Sequence, residues 1–293
     1  MTPPTLLMGF LIATGLVVVA GVQLVRAGEE LGDRLPIGRT WVGLVVLSSI
    51  TSLPELVSSI SASAWIGKPD LAVANTFGSN SFNIFTLVIL DLVYRGDPLA
   101  TVYGVRHALA GALGGVLTCV ACVALLASRT GVFAELPLTS LEWSVVITGA
   151  YFAAMALLYR FESKQPRENT GPGEGEGVVE ATLVGEQVWA PLLKRLGAAA
   201  AGVLVAGVVL AYLADQLAVY PFSFGTLGET FVGSLGLAVS TSLPEMVVGI
   251  AAVRGGSFGM AVGNVFGSNL FNIWVLPICH MFSAPFLETP FYT

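Results

Sequence analysis

Long apolar stretches separated by short polar ones dominate this chain. Crossing the hydrocarbon layer of a bilayer takes about 20 apolar residues in a helix. Eight runs reach that length, near 5–25, 40–66, 71–94, 106–127, 141–160, 194–217, 228–253 and 258–282. They are too long and too continuously apolar for the short alternating segments of a transmembrane barrel. The pattern predicts an all-α integral membrane protein with about eight transmembrane helices. Its first run opens MTPPTLLMGF, with no basic leader and no small-residue cleavage site, and reads as a retained span.

Composition narrows the class further. Of 293 residues, 55% are hydrophobic and 11% charged, less than half the share usual in a soluble domain. The net charge of -6 excludes the basic face that a nucleic-acid binder needs. Cys119, Cys122 and Cys279 lie in apolar surroundings and cannot form a disulfide framework. The Cys119/Cys122 pair reads C-x-x-C inside a run of small apolar residues, where packing is a better account than metal or redox chemistry.

Lysine and arginine are unevenly divided between the connections. One alternate set carries Arg26, Arg34, Arg39, Arg95, Arg106, Arg160, Lys164, Arg167, Lys194, Arg195 and Arg254; the other carries only Lys68 and Arg129. By the positive-inside rule the N-terminus is outside and the long loop 161–193 cytoplasmic, as in the plasma (inner) membrane of a prokaryote. That loop contains ENTGPGEGEGVVE, Gly-rich and acidic without an EF-hand pattern, and is expected to be a flexible linker. It divides a first half, 1–160, from a second, 194–293.

Self-similarity between the halves carries the chemistry. Thr-Ser-Leu-Pro-Glu occurs at 51–55 and again at 241–245, and Phe-Gly-Ser-Asn-x-Phe-Asn-Ile at 77–84 and 266–273. Glu55 precedes Asn83 by 28 positions, and Glu245 precedes Asn272 by 27. The copies lie five spans apart, an odd number, so they run through the membrane in opposite senses. Inverted-topology repeats of this kind build secondary transporters.

A carboxylate at membrane depth is costly unless it faces protein, water or a cation. Glu55 and Glu245 both lie well inside apolar runs, and one structural glutamate is a far easier accident than two in identical motifs. Helical spacing puts Ser48, Thr51, Ser52 and Glu55 on one face; Thr241, Ser242 and Glu245 repeat the pattern, with Ala238 in place of the first hydroxyl. Pro54 and Pro244 deprive the Ile50 and Ser240 carbonyls of their helical partners. On the following helices Ser79 and Asn83, and likewise Ser268 and Asn272, are four apart and face one way. Asn80 and Asn269 either ligate or tie helices together, and the tie is the better reading. Ser58, Ser59 and Ser61 either line a path or pack.

Two carboxylates among hydroxyl, amide and backbone oxygens suit a hard cation such as Ca²⁺ or Na⁺. His107 and His280 lie near span ends, away from both motifs. Two negative charges match one Ca²⁺ or two Na⁺. A proton can take a cation's place, because two carboxylates sharing an empty site repel. No G-x-S-x-G or H-E-x-x-H motif occurs, so the sequence predicts no enzyme and no cofactor.

These paired motifs, within 44–84 and 234–273, closely resemble the alpha repeats of the sodium/calcium exchanger superfamily of cation antiporters. The resemblance implies exchange by alternating access, with the first and sixth helices sliding across a stationary core. It implies a central cation site at Ser48, Thr51, Ser52, Glu55, Ser79 and Asn83 from the first copy. From the second it implies Ala238 through its backbone carbonyl, with Thr241, Ser242, Glu245, Ser268 and Asn272. The transported ions would be Ca²⁺ and Na⁺, with a Ca²⁺/H⁺ antiporter as the nearest alternative. A channel and a non-transporting subunit of the same fold are the more distant ones.

Three features depart from the family pattern. Ile50 and Ser240 stand where many members have Gly, and Asn272 where several have Asp, which bears on stoichiometry. The family has ten helices, five plus five; this sequence runs about twenty residues past Asn272 and predicts eight, without the last two. Either the product is short, or the sequence is truncated, or a second subunit, another copy or a different chain, fills that place.

Overall fold

The computed structural model describes residues 3–35, 38–65, 67, 69–94, 99–130, 140–164, 186–218 and 239–282. All regular structure there is helical. Helix α1 is Pro3–Arg34, α2 Arg39–Trp65, α3 Pro69–Val93 and α4 Leu99–Thr130. They are followed by α5 Ser140–Glu162, α6 Glu186–Ala218, α7 Leu243–Arg254 and α8 Phe258–Phe282. Seven helices among the described residues are long and apolar enough to cross a membrane. The seventh expected run, 228–253, is described only from residue 239; Ala238 and the linker motif ENTGPGEGEGVVE fall outside the described residues.

Two boundaries differ most from expectation. Helix α1 continues nine residues past the predicted edge at 25, to Arg34. A helix satisfies its own backbone and needs no bilayer to persist, and here the Arg34–Glu30 pair, one turn apart at 2.5 Å, supports the overrun. Likewise α6 starts at Glu186, inside the predicted linker, and absorbs Pro191 near its beginning.

Helices α1 and α6 pack along one another, and their joint surface lies against the repeat hairpins. At Gly207 of α6 the backbone passes so close to the Pro54 ring that an added Cβ would stand 2.6 Å from its Cγ, and 3.6 Å from that of Pro244. One helix therefore rests on both prolines. At the Arg-rich end α1 is fastened to the core. Arg39 at the start of α2 donates to both oxygens of Asp33 at 2.6 Å and to Ser257 at 3.2 Å, while Ser257 donates to Glu29 at 2.6 Å.

Helix α8 is the centre of the molecule. Helices α4 and α5 cover one side of it, where Leu117, Ile147, Leu270, Ile273 and Leu276 form a buried apolar cluster. On its other side Gly263 and Gly267 meet the backbone of α2 at Thr40 and Leu44, and Gly43 of α2 meets Met260. Such close approach needs residues without side chains, as is usual where membrane helices pack. It brings the two repeat hairpins into direct contact.

Candidate functional site

Each hairpin contains a break at the same motif position. Helix α2 is interrupted at Ser52 (φ -85°, ψ 5°), and the described helix resuming at 239 is interrupted at Ser242 (φ -89°, ψ 2°). Both lie in the sparsely populated bridge region. Leu-Pro-Glu then restarts the helix, with Pro54 and Pro244 in the first positions, where a missing N–H costs nothing. Glu55 and Glu245 therefore sit in the first turn of new half-helices, where the helix dipole favours negative charge.

Hydrogen bonds then exchange between the hairpins. Ser52 Oγ donates to Glu245 Oε1 at 2.9 Å, and Ser242 Oγ donates to Glu55 Oε1 at 2.9 Å. Thr51 Oγ1 bonds Asn264 Oδ1 at 3.3 Å, and Thr241 Oγ1 bonds Asn75 Oδ1 at 3.4 Å. Asn75 and Asn264 each reach the backbone carbonyl of the glutamate in their own repeat, Glu55 and Glu245, at 3.5 Å. Thr51 lies 3.5 Å from Ser268, and Ser79 lies 3.5 Å from Thr241. Each of these contacts in one repeat has its counterpart in the other, so the two copies form one site about a pseudo-twofold axis.

The asparagines of α3 and α8 close the arrangement. Asn83 Nδ2 donates to Asn269 Oδ1 at 3.0 Å, and Asn272 Nδ2 donates to Asn80 Oδ1 at 3.2 Å. Asn80 Nδ2 also donates to the Asn269 carbonyl at 3.2 Å. Asn80 and Asn269 thus tie the helices together, and in doing so each accepts an N–H from Asn83 or Asn272. Four buried oxygens in the site have no donor among the described residues: Glu55 Oε2, Glu245 Oε2, Asn83 Oδ1 and Asn272 Oδ1. All four are acceptors, and two belong to carboxylates. Buried acceptors without donors are expensive, and a hard cation is the kind of group that satisfies them.

Of the expected site residues, Thr51, Ser52, Glu55, Ser79, Asn83, Thr241, Ser242, Glu245, Ser268 and Asn272 are all buried and enter this network. Ser48 is buried too, but its hydroxyl donates to the Leu44 carbonyl at 2.5 Å, at the packing contact with Gly267. Asn75 and Asn264 were not singled out in the sequence, although they begin both NxFGSN strings. Their signal is spacing: Asn75, Ser79 and Asn83 recur every four residues, as do Asn264, Ser268 and Asn272. Replacing Asn75 or Asn264 by Leu is expected to cost about 1 kcal/mol of stability with both glutamates intact, since each carries about one net hydrogen bond that positions a threonine. Thermal unfolding of the purified variants tests this.

Ser58 and Ser59 accept from Asn75 at 3.2 and 3.0 Å, so they support that side chain. The histidines are elsewhere: His280 pairs with Ser144 at 3.0 Å, and His107 stacks on Phe266. Cys119 and Cys122 lie exposed on α4. Among the described residues no three His, Cys, Asp or Glu side chains gather, so the site's formal charge is that of its two glutamates.

Crossed, broken hairpins from two repeats, meeting at buried carboxylates inside a helical membrane protein, define the inverted-repeat class of secondary transporters. The family model for sodium/calcium exchanger protein matches residues 5–160 and 196–291. The chain belongs to the sodium/calcium exchanger family. It is 30% identical over 287 residues to the inner membrane protein YrbG of Escherichia coli (strain K12), spanning 94% of this chain and 77% of YrbG. A stretch of 48 residues is 48% identical to the sodium/calcium exchanger MaX1 of Methanosarcina acetivorans, covering 16% of this chain and 14% of MaX1. The fold matches the sodium-calcium exchanger NCX_Mj soaked with 2.5 mM Na⁺ and 10 mM Sr²⁺, at a TM-score of 0.67 and 20% identity. That match spans 96% of this chain and 84% of the other.

Proposed function

We propose that this protein exchanges Na⁺ for Ca²⁺ across the membrane, using the inward Na⁺ gradient to expel Ca²⁺. The observation that supports it is the set of four donorless buried oxygens on Glu55, Glu245, Asn83 and Asn272. Two of them belong to carboxylates and two to neutral amides, so bound Ca²⁺ would be neutralised without excess charge, within an all-oxygen shell suited to it. Thr51, Ser52, Thr241, Ser242, Ser79 and Ser268 add hydroxyls able to hold Na⁺ beside the same carboxylates when Ca²⁺ leaves. Ser48, and Ala238 through its backbone carbonyl, complete the set by resemblance to the family.

Competition at shared carboxylates is what couples the two ions: each occupies the site only when the other has left. Alternating access follows when the α1–α6 pair shifts over the hairpins and opens the site to one side at a time. The arginine-rich connections support a cytoplasmic long loop and an outside N-terminus, as in a prokaryotic inner membrane.

Proteoliposomes test the coupling. With Na⁺ loaded inside and pH equal on both sides, ⁴⁵Ca²⁺ uptake is expected to start on dilution into Na⁺-free buffer and to stop when Na⁺ is equal across the membrane. Uptake indifferent to Na⁺ but driven by a pH gradient would replace this reading with Ca²⁺/H⁺ antiport.

A further inference from the structure

A groove of about 690 Å³ runs between α1 and α6. It opens outward, since Leu16, Val19 and Val205 on its rims are more than half exposed. Small residues form its trough; at the narrowest point a Cβ on Gly202 would stand 3.1 Å from that of Ala20. From Ala13 to Arg26 it extends about 20 Å at the helical rise, comparable to one leaflet of a bilayer core about 30 Å thick. A trough of small residues of this length suits a hydrocarbon chain lying along it.

The ends of the groove differ. One is wholly apolar; the other carries Gln23, Arg26 and Arg195. Neighbouring acids already have donors. Glu30 receives Arg195 and Arg34, each at 2.5 Å, Asp33 receives Arg39, and Glu29 receives Ser257. Arg26 forms no ion pair with any described residue. Around this end Arg26, Arg34, Arg39, Lys194 and Arg195 stand against Glu29, Glu30 and Asp33, an excess of two positive charges. Arginine at the rim of a span places its head at headgroup level.

We infer that this groove is a binding site for an anionic phospholipid, with acyl chain in the Ala/Gly trough and phosphate at Arg26 and Arg195. The bound lipid braces the α1–α6 pair on the side facing away from Pro54 and Pro244, and so acts on the element whose shift exposes the cation site. The binding itself does not depend on which ions are exchanged.

Native mass spectrometry of the full-length protein, released from detergent with phosphatidylglycerol or phosphatidylcholine of matched chains, tests the site. Each cation near a membrane surface contributes about fivefold to anionic-lipid attraction, so wild type is expected to retain phosphatidylglycerol about 25-fold better. Arg26→Gln with Arg195→Gln should erase that preference, and Arg26→Lys with Arg195→Lys should keep most of it. Ala198→Phe puts a ring into the trough at an exposed position and leaves both arginines, so it should expel phosphatidylglycerol as well. Equal retention of both lipids by wild type overturns the proposal. Unchanged phosphatidylglycerol retention in Ala198→Phe does so too, since the headgroup would then be held without a seated chain. Displacement by soluble glycerol phosphate would mean a free-anion site and no lipid site.

Discussion

Glu245→Gln, and separately Glu55→Gln, should reduce Ca²⁺ transport by a hundredfold or more while the purified protein stays monodisperse and no less heat-stable. The two halves of that expectation have different causes. An amide is the same size as a carboxylate, and its Oε1 can still accept the hydroxyl of Ser52 or Ser242, which lies at 2.9 Å in each case. The reciprocal contact that joins the hairpins therefore survives. What changes is the other oxygen, which has no donor among the described residues in either glutamate. An NH₂ group there is a donor among acceptors such as Asn83 Oδ1 and Asn272 Oδ1, and the site loses one of its two negative charges. Removing one partner of a buried charge pair costs about 2–5 kcal/mol, and about 2.8 kcal/mol is already a hundredfold. Stability has no reason to fall, since an ionised side chain at membrane depth is itself costly. Rates of Na⁺-driven ⁴⁵Ca²⁺ uptake and thermal unfolding of the same samples separate the two effects. Retained transport in both variants would remove the glutamates from the mechanism.

Much of this site could be read in the chain because the repeat printed it twice. Thr-Ser-Leu-Pro-Glu already contains the hydroxyls, the helix break and the acid, and the Pro at the second position of each restarted helix is why the break sits at Ser52 and Ser242. Spacing alone could not say that Ser52 would serve the other repeat's glutamate, since that depends on how the hairpins cross. Nor could it foresee that Asn80 and Asn269 would each accept an amide N–H from a neighbour and so orient the Oδ1 atoms of Asn83 and Asn272 away from them. Asn75 and Asn264 were in plain view at four-residue spacing, but an asparagine that bonds a carbonyl looks no different in sequence from one that faces a cavity. The burial of α8 was invisible for a similar reason. Its motif matches that of α3 almost letter for letter, yet α4 and α5 pack over it, and that is a tertiary event. The overrun of α1 past residue 25 reflects local pairing between Glu30 and Arg34 that a hydropathy run does not register.

Gly267→Ala should be among the most damaging substitutions in the molecule, although it adds a single methyl group and no charge. Its Cβ would fall on the Leu44 carbonyl oxygen and within 2.6 Å of Ser48 Oγ. Neither obstacle can swing aside: one is helix backbone, and the other is bonded to that same carbonyl at 2.5 Å. Helix α2 would have to retreat from α8. Overpacking of this kind costs about 1–3 kcal/mol, and a backbone obstacle puts it at the upper end. For a chain of this size about 3 kcal/mol corresponds to a fall of roughly 6–12 °C in melting temperature. Retreat of α2 also draws Thr51 away from Ser268, which follows Gly267 directly and lies only 3.5 Å from that hydroxyl. Transport should therefore drop even at temperatures where the protein is folded, with Glu55 and Glu245 untouched. Gly114→Ala in α4 is the matched comparison: nothing lies within 4 Å of its added Cβ, and alanine favours the helix by about 1 kcal/mol. Equal melting temperatures and equal uptake in the two variants would mean that the helices need not meet at backbone distance for the site to form.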